Sequence, residues 1–289
     1  MPLKLVIPPT ALPIALPEAK LHLRQTQDFD DALIAGLIAA ASEFASEDTQ
    51  RQLVAARYAL VLDAFPGPSE FGVPFGIAFS MPGHAIEIPR TPLLQVVSIT
   101  YTAMDGTTQT MDPTTYVVEG TTEPARITPT FGKIWPVTLP QIGAVTVTFD
   151  AGYAIPLAVT VASPGTITPG LGGPLTVGQA VLLSNTGGAL PGGLTIAPGQ
   201  KAAVYYVQSA NNGVYTLSAA PGGAAIAFTD AGTGTSFLGQ VPDGIRAWMN
   251  IRVGTLYENR EEVAILNRGK MEVLPYIDRL LDAYRVITY

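Results

Sequence analysis

Apolar residues recur at intervals of three and four in two stretches near opposite ends of this chain. In the first, Leu33, Ile34, Leu37, Ile38, Ala41, Phe44 and Ala45 form a stripe at helical spacing. Asp30 is a good N-cap for this helix, and Phe29 and Ile34 are placed as a hydrophobic staple around it. Ala35, Ala39, Ala40 and Ala41 are small enough to let a partner helix approach closely. The second stretch is VPDGIRAWMNIRVGTLYENREE, residues 241–262. Pro242 fits a first helical turn. Ile245, Trp248, Met249, Val253, Leu256 and Tyr257 then share one wide apolar face, with Arg246, Asn250 and Asn259 off it. Neither stripe can be hidden by its own helix, so the two ends are expected to clasp each other. The expected packing core is Leu33, Ile34, Leu37, Ile38, Phe44, Ile245, Trp248, Met249, Val253, Leu256 and Tyr257.

Two shorter helices accompany them. Pro17 opens PEAKLHLR, with Glu18 near the positive end of the helix dipole. Pro275 opens a last helix on which Tyr276, Leu280, Ala283 and Tyr284 share a face. Little chain remains to cover that face. Pro275, Tyr276, Leu280 and Tyr284 are therefore candidate docking residues for another subunit.

After Leu53 the period changes to two. Tyr58, Leu60 and Leu62 alternate with their neighbours, as do Val97, Ile99 and Tyr101, and Asp105-Gly106 supplies a hairpin turn. Short strands are also expected at 86–88, 116–118, 126–127 and 144–149, with a proline-rich loop at 67–83. From 155 to 240 the pattern changes again. Only Lys201 and Asp230 are charged there, and LAVTV, AVLLS, AVYYVQS, GVYTLS and AIAFTD alternate with Gly- and Pro-rich turns. This predicts a small β-barrel or sandwich inserted into a loop of a parent domain, as tolerated where chain ends lie together on a surface. The expected class is α+β: a helical bundle of N- and C-terminal helices with a small antiparallel β unit, plus an inserted all-β domain. The parent domain would be 1–154 and 241–289, discontinuous, and the insertion 155–240.

Composition narrows the chemistry. The chain is 47% hydrophobic and 13% charged, with 29 glycines and 25 prolines, against roughly 25% charged in an average domain. That suits many turns and short strands. Without cysteine there is no disulfide, thiolate nucleophile or cysteine metal site. A net charge of −7 argues against a surface that coats nucleic acid. The N-terminal MPLKLVIPPTALPIALP is broken by prolines and lacks a signal-peptide core, and no apolar run is long enough to span a membrane.

No catalytic, cofactor-binding or metal-ligating set emerges. His22 and His84 stand far apart without carboxylates at metal spacing, and structural or solvated roles are the commoner ones. GLGG (170–173) and GTGTSF (232–237) lack the strand–helix context of a phosphate loop and read as turns. Glu258, Glu261 and Glu262, with Arg260 among them, read as a solvated helix end. No Gly-x-Ser-x-Gly elbow stands out. The tyrosines of AVYYVQSANNGVYT could line a carbohydrate site, although a β core with cross-strand aromatic pairs is the more common role.

Set in order, several segments resemble the tailed-bacteriophage head-to-tail connector (adaptor) proteins. They are PEAKLHLR, DDALIAGLIAAASEF, the Thr49-x-Arg51-x-Leu53 helix end and RYALVLDAFP. They continue through IEIPRTPLLQVVSITYTAMDGTTQTMDPTTYVV, PARITPTFGKIWP, VTVTFDAGY, VPDGIRAWM, LYENRE and LPYIDRLLDAYR. Gln50 stands where a glycine often follows the threonine, and 155–240 replaces what is usually a short loop. That block resembles the β modules that decorate virion proteins. The resemblance implies a structural virion protein, not an enzyme, without cofactors, in the phage neck and assembled in the host cytoplasm. It implies a homo-oligomeric ring, twelve-fold in that family, which meets the portal protein on one side and tail, stopper or tail-terminator proteins on the other. Genomic DNA would pass through the ring without sequence-specific binding, and no membrane is involved. Ring closure needs a heterologous interface, and an acidic subunit suits a smooth DNA channel. The alternative is a carbohydrate- or surface-binding β module carried on a virion protein, with Tyr205, Tyr206 and Tyr215 as its working residues.

Overall fold

The strand VTVTFDA, β8 (Val145–Ala151), buries Val145, Val147, Phe149, Asp150 and Ala151. A strand covered on both flanks and one face must lie inside a sheet. In the computed structural model, which describes residues 3–66, 85–170, 175–194, 203–259 and 279–286, it is the central strand of five. The described residues divide into two compact units.

The first unit comprises Met1–Pro8 and Ala56–Gly152. Its larger sheet is antiparallel, in the order β1 (Leu3–Ile7), β2 (Ala56–Leu62), β8, β4 (Leu93–Thr102), β5 (Thr108–Thr110). Leu60 faces Val147 and Tyr58 faces Phe149, their rings stacked 5.8 Å apart. A second sheet, β3 (Ile86–Ile88), β7 (Ala125–Pro129) and β6 (Tyr116–Glu119), adds Ile86, Ile88 and Ile127 to the same core. The β4–β5 hairpin turns where expected: the Asp105 carboxylate accepts the Thr107 N–H at 2.9 Å and Gly106 takes φ +81°. β1 departs from the expectation of an irregular, proline-broken N-terminus. Its prolines flank the strand at Pro2, Pro8 and Pro9 and do not interrupt it, so Leu3–Ile7 can pair with β2.

The second unit comprises Pro9–Ala55 and Tyr153–Tyr289. It holds α1 (Leu16–Leu23), α2 (Asp31–Thr49), α3 (Asp243–Glu258) and the single turn α4 (Arg279–Asp282). With so few helices the protein is α+β and mostly strand, and the helices form a small cluster. The barrel is closed, in the order β10 (Thr166–Pro169), β13 (Val214–Ser218), β12 (Ala203–Asn211), β11 (Ala180–Thr186), β14 (Thr235–Gly239), β9 (Ala154–Thr160). Ile167, Leu183, Val207 and Leu217 fill it. This division does not follow the compositional boundary, because barrel and helices share contacts. The Asn185 N–H donates to Thr10 Oγ1 at 3.0 Å, and Leu182 packs on the helical core.

Two barrel strands were not expected from the sequence, and one expected strand is absent. The second half of GTGTSF pairs as β14, while AIAFTD contributes only an isolated bridge, Ala225 to Ser218. Gly234 explains the sharp entry into β14: at φ +71°, a side chain there would collide with the Thr186 carbonyl. Beside it the Asp230 carboxylate accepts N–H groups from Gly232 at 2.8 Å and Gly192 at 3.0 Å. These backbone bonds, that from Gly232 first, hold its carboxyl below the usual range. A depressed folded-state value gives stability that is complete above the unfolded carboxylate pKa, near ~4, and is lost as pH falls through the folded value. Acidification is therefore expected to lower the protection factors of the Gly192 and Gly232 amides, each measured against the intrinsic exchange rate at the same pH, before the barrel opens. Protection factors that stay constant through the whole acid range would contradict it.

Candidate assembly surfaces

Most of the expected packing core comes together. Ile34, Ile38, Ile245, Trp248, Met249, Val253 and Tyr257 are buried in one cluster with Ala19, Ala41, Ala45 and Leu281, and Leu37 packs against it half-buried. Leu256 is half-buried at the helix flank. Leu33 and Phe44 depart from expectation, at 37% and 51% exposure. The reason is that α2 is apolar on two faces. Positions 34, 38, 41, 45 and 49 point inward, and 33, 36, 40 and 44 point outward. Phe29, which starts the outward row, is exposed and makes no staple. Asp30 does stand at the N-cap position, yet its side chain makes no cap bond. Its carboxylate instead accepts the Tyr257 hydroxyl proton, and Gln25 Nε2 donates to the same hydroxyl at 3.0 Å.

Polar side chains surround the cluster. Glu18 accepts from Arg246 Nη2 at 2.8 Å and from Asn250 Nδ2 at 3.2 Å. Bonding to Glu18 raises the Arg246 pKa. Lys20 lies 2.6 Å from Asp28 and 2.7 Å from Asp31, and both bonds raise its pKa, that to Asp28 the more. Exposed pairs such as these add little stability and chiefly set orientation.

Part of the C-terminal segment expected to dock on another subunit packs on this chain itself. Leu281 is 1% exposed in the helical core, and Leu280 and Tyr284 pack against it. The Val286 N–H donates to the Thr49 carbonyl at 3.1 Å, Arg51 Nε donates to the Tyr284 carbonyl, and Arg285 grips Asp48 with Nη2 at 2.9 and 3.0 Å. Of the expected face, Leu280 and Tyr284 are half-buried against the helical core and Ala283 is exposed. The Tyr284 ring comes so near Gly244 that a side chain there would have to displace it. Pro275 and Tyr276 lie outside the described residues, as do His84, Glu261 and Glu262.

The tyrosines proposed for a stacking site are mostly inside the barrel. Tyr205 and Tyr215 are 4% and 6% exposed, and the Tyr215 hydroxyl accepts the Leu175 N–H at 3.2 Å. Burial also pushes up the Tyr205 pKa. Tyr206 alone of the three is half-buried, in a groove of about 650 Å³ shared with Pro17, Leu21 and Arg246. His22 is exposed on α1. Among the described residues no three His, Asp or Glu side chains could hold a metal ion, and no helix is long and apolar enough to cross a membrane.

Sequence periodicity missed a surface on the first unit. Between β7 and β8 the chain reads FGKIWPVTLPQI, residues 131–142. Trp135 is buried and Phe65 stacks on it at 4.8 Å, nearly coplanar at 5°. Around this pair Phe131, Ile134, Val137 and Ile142 are exposed by 103, 87, 74 and 92%. Lys133, Ile134, Val137 and Phe65 line a groove of about 560 Å³. Isolated exposed apolar residues are ordinary, but several so close in sequence mark an interaction surface. A clue was available, since four large apolar residues in a stretch rich in Gly and Pro have no period that would bury them.

Comparison with known families now decides the character of the first part of the chain. Residues 13–120 match the phage gp6-like head-tail connector protein family. The connector resemblance is borne out over that stretch, which runs from α1 through β6. Two solved structures share the fold. One, described as "Neck of empty GTA particle computed with C6 symmetry", is 14% identical with a TM-score of 0.53, over 100% of this chain and 97% of that one. The other, "Virion of native gene transfer agent (GTA) particle", is 15% identical with a TM-score of 0.52 over the same shares. At such identities the connector likeness is one of fold. No curated protein sequence matches the chain.

Proposed function

We propose that this protein is a structural virion protein, one subunit of a head-to-tail connector ring in the phage neck. The observation that carries this reading is the family match over 13–120, the stretch that builds α1, α2 and the first strands of the sheet. In this reading copies close a ring, twelve-fold as in the family, between the portal on one side and the tail, stopper or tail terminator on the other. The ring surrounds the DNA channel. A net charge of −7 suits that place, because like charge repels phosphate and lets the genome slide. The subunit then works by shape and contact, without catalysis. It is made in the host cytoplasm and functions in the virion. Electron microscopy of the neck tests the reading: a ring of this chain between portal and tail supports it, and its absence from the neck defeats it.

The same proposal treats 155–240 as a guest. Its ends meet: the Gln240 N–H donates to the Tyr153 carbonyl at 2.9 Å, and Ala154 pairs with Gly239. Excising 155–240 and bridging with Gly-Ser is expected to leave a folded remainder with its helical circular dichroism intact. Loss of the Thr10–Asn185 bond and the Leu182 contact is expected to cost about 1–3 kcal/mol, read by urea unfolding. Global unfolding of this variant would show the barrel to be integral.

A further inference from the structure

The outward face of α2 combines three observations that the protomer by itself does not explain. Phe29, just before the helix, and Leu33, Gly36, Ala40 and Phe44 on it follow one another at spacings of four, three, four and four. Phe29 is 77% exposed, and Phe44 is 51% exposed with the Arg252 guanidinium of α3 over one face of its ring, 5.3 Å from the centroid. Gly36 has nothing within 4 Å of where a side chain would begin. A mid-helix glycine costs about 1 kcal/mol relative to alanine, so its use there suits the close approach of another chain. Finally, α2 ends in Glu43, Glu47 and Asp48 with no basic residue in its last turn. Acids there oppose the helix dipole. Asp48 has Arg285, whereas Glu43 and Glu47 are exposed without an ion pair among the described residues.

The 131–142 segment has the complementary character. Its Phe131, Ile134, Val137 and Ile142 are exposed, Ile134 and Val137 share a groove with Lys133, the only charge in the segment, and Lys133 forms no ion pair among the described residues. The groove beside Trp135 has room for an aromatic anchor.

We infer that the outward face of α2 in one copy docks on the 131–142 segment of a second copy of this chain. Phe44 enters the groove beside Trp135, and Glu43 and Glu47 meet Lys133. The two patches differ, so the contact is heterologous and passes from copy to copy until a ring closes. The inference rests on the ring reading above and names its interface.

The absence of cysteine makes a clean test. Full-length chain carrying both Ala40→Cys and Ile134→Cys is assembled into necks and treated with a short bis-maleimide. A ladder of covalent multimers on a denaturing gel is expected, with neither single variant giving one. In parallel, Lys133→Glu is expected to reduce head–tail joining about tenfold or more while leaving the melting curve unchanged, and adding Glu43→Lys and Glu47→Lys is expected to restore it. Rings seen by microscopy without a ladder, a cross-link confined to single chains, or failure of the charge swap to rescue would overturn this interface and leave the ring reading standing. Necks without any ring of this chain would remove both.

Discussion

Asp150→Ala is expected to lower stability by about 3–5 kcal/mol, the largest loss from a single polar side chain in the sheet unit. Asp150 is fully buried on the central strand β8. Its carboxylate takes Arg57 Nε at 2.8 Å and Nη2 at 3.0 Å from β2 on one side, and Gln95 Nε2 at 2.7 Å from β4 on the other. Arg57 and Gln95 are its direct register partners, so one carboxylate pins three strands at a single level. Bonding to Asp150 raises the Arg57 pKa, so the guanidinium stays charged and would be left partly buried without its counter-ion. Urea unfolding followed by Trp135 fluorescence in a Trp248→Phe background measures the loss. A shift below about 1 kcal/mol would mean that water replaces the carboxylate. The triple change Arg57→Met, Gln95→Met, Asp150→Leu is expected to recover most of the stability, because the desolvation cost disappears along with the pair.

Trp248→Ala is expected to cost about 3–5 kcal/mol as well, through the cavity it leaves in the helical core. Trp248 is 5% exposed and shares that core with Ile34 and Ile38 of α2, Met249 and Val253 of α3, and Leu281. The matching outward changes are expected to cost less in the protomer: about 0.5 kcal/mol for Leu33→Ala and about 1 kcal/mol for Phe44→Ala, which loses the Arg252 guanidinium over its ring. Far-UV circular dichroism during thermal unfolding distinguishes them. Equal losses on both faces of α2 would mean that the outward row is packed after all. The comparison also shows why a truncation before Arg279 is a poor probe of docking. It would remove Leu281 from this core and confuse lost stability with lost assembly.

Where one face of an element is buried and the other wet, periodicity in the sequence was enough. That condition holds for β2, β4, β7, β8 and α3, all of which stand where the pattern predicted. It fails for α2, whose alanine-rich surface is uncharged from Ala32 to Ser42 and carries apolar residues on two sides. Only the tertiary structure shows which row, Ile34–Ile38–Ala41 or Leu33–Gly36–Ala40–Phe44, is covered. β10 (TITP) and β14 (TSFLG) are only four and five residues long, each ends on a Pro or Gly among Gly- and Pro-rich turns, and pairing within the barrel is what makes them strands. The Asp150 node had only a faint signal, a single acid closing an otherwise apolar strand. Burial of α4 by its own chain was invisible, because it depends on Thr49, Arg51 and Asp48 being brought back to meet Tyr284, Val286 and Arg285 across more than two hundred positions.

Closure of the barrel has one more consequence. Each described strand from β9 to β14 has two neighbours, with the β10–β13 seam closed by the Ile167–Tyr215 pair, so none of them presents a wholly unpaired edge to another chain. In the proposed neck ring, copies crowded together would then not zipper edge to edge through this module. The open sheet of the first unit, with β1 and β5 at its rims, has no such protection.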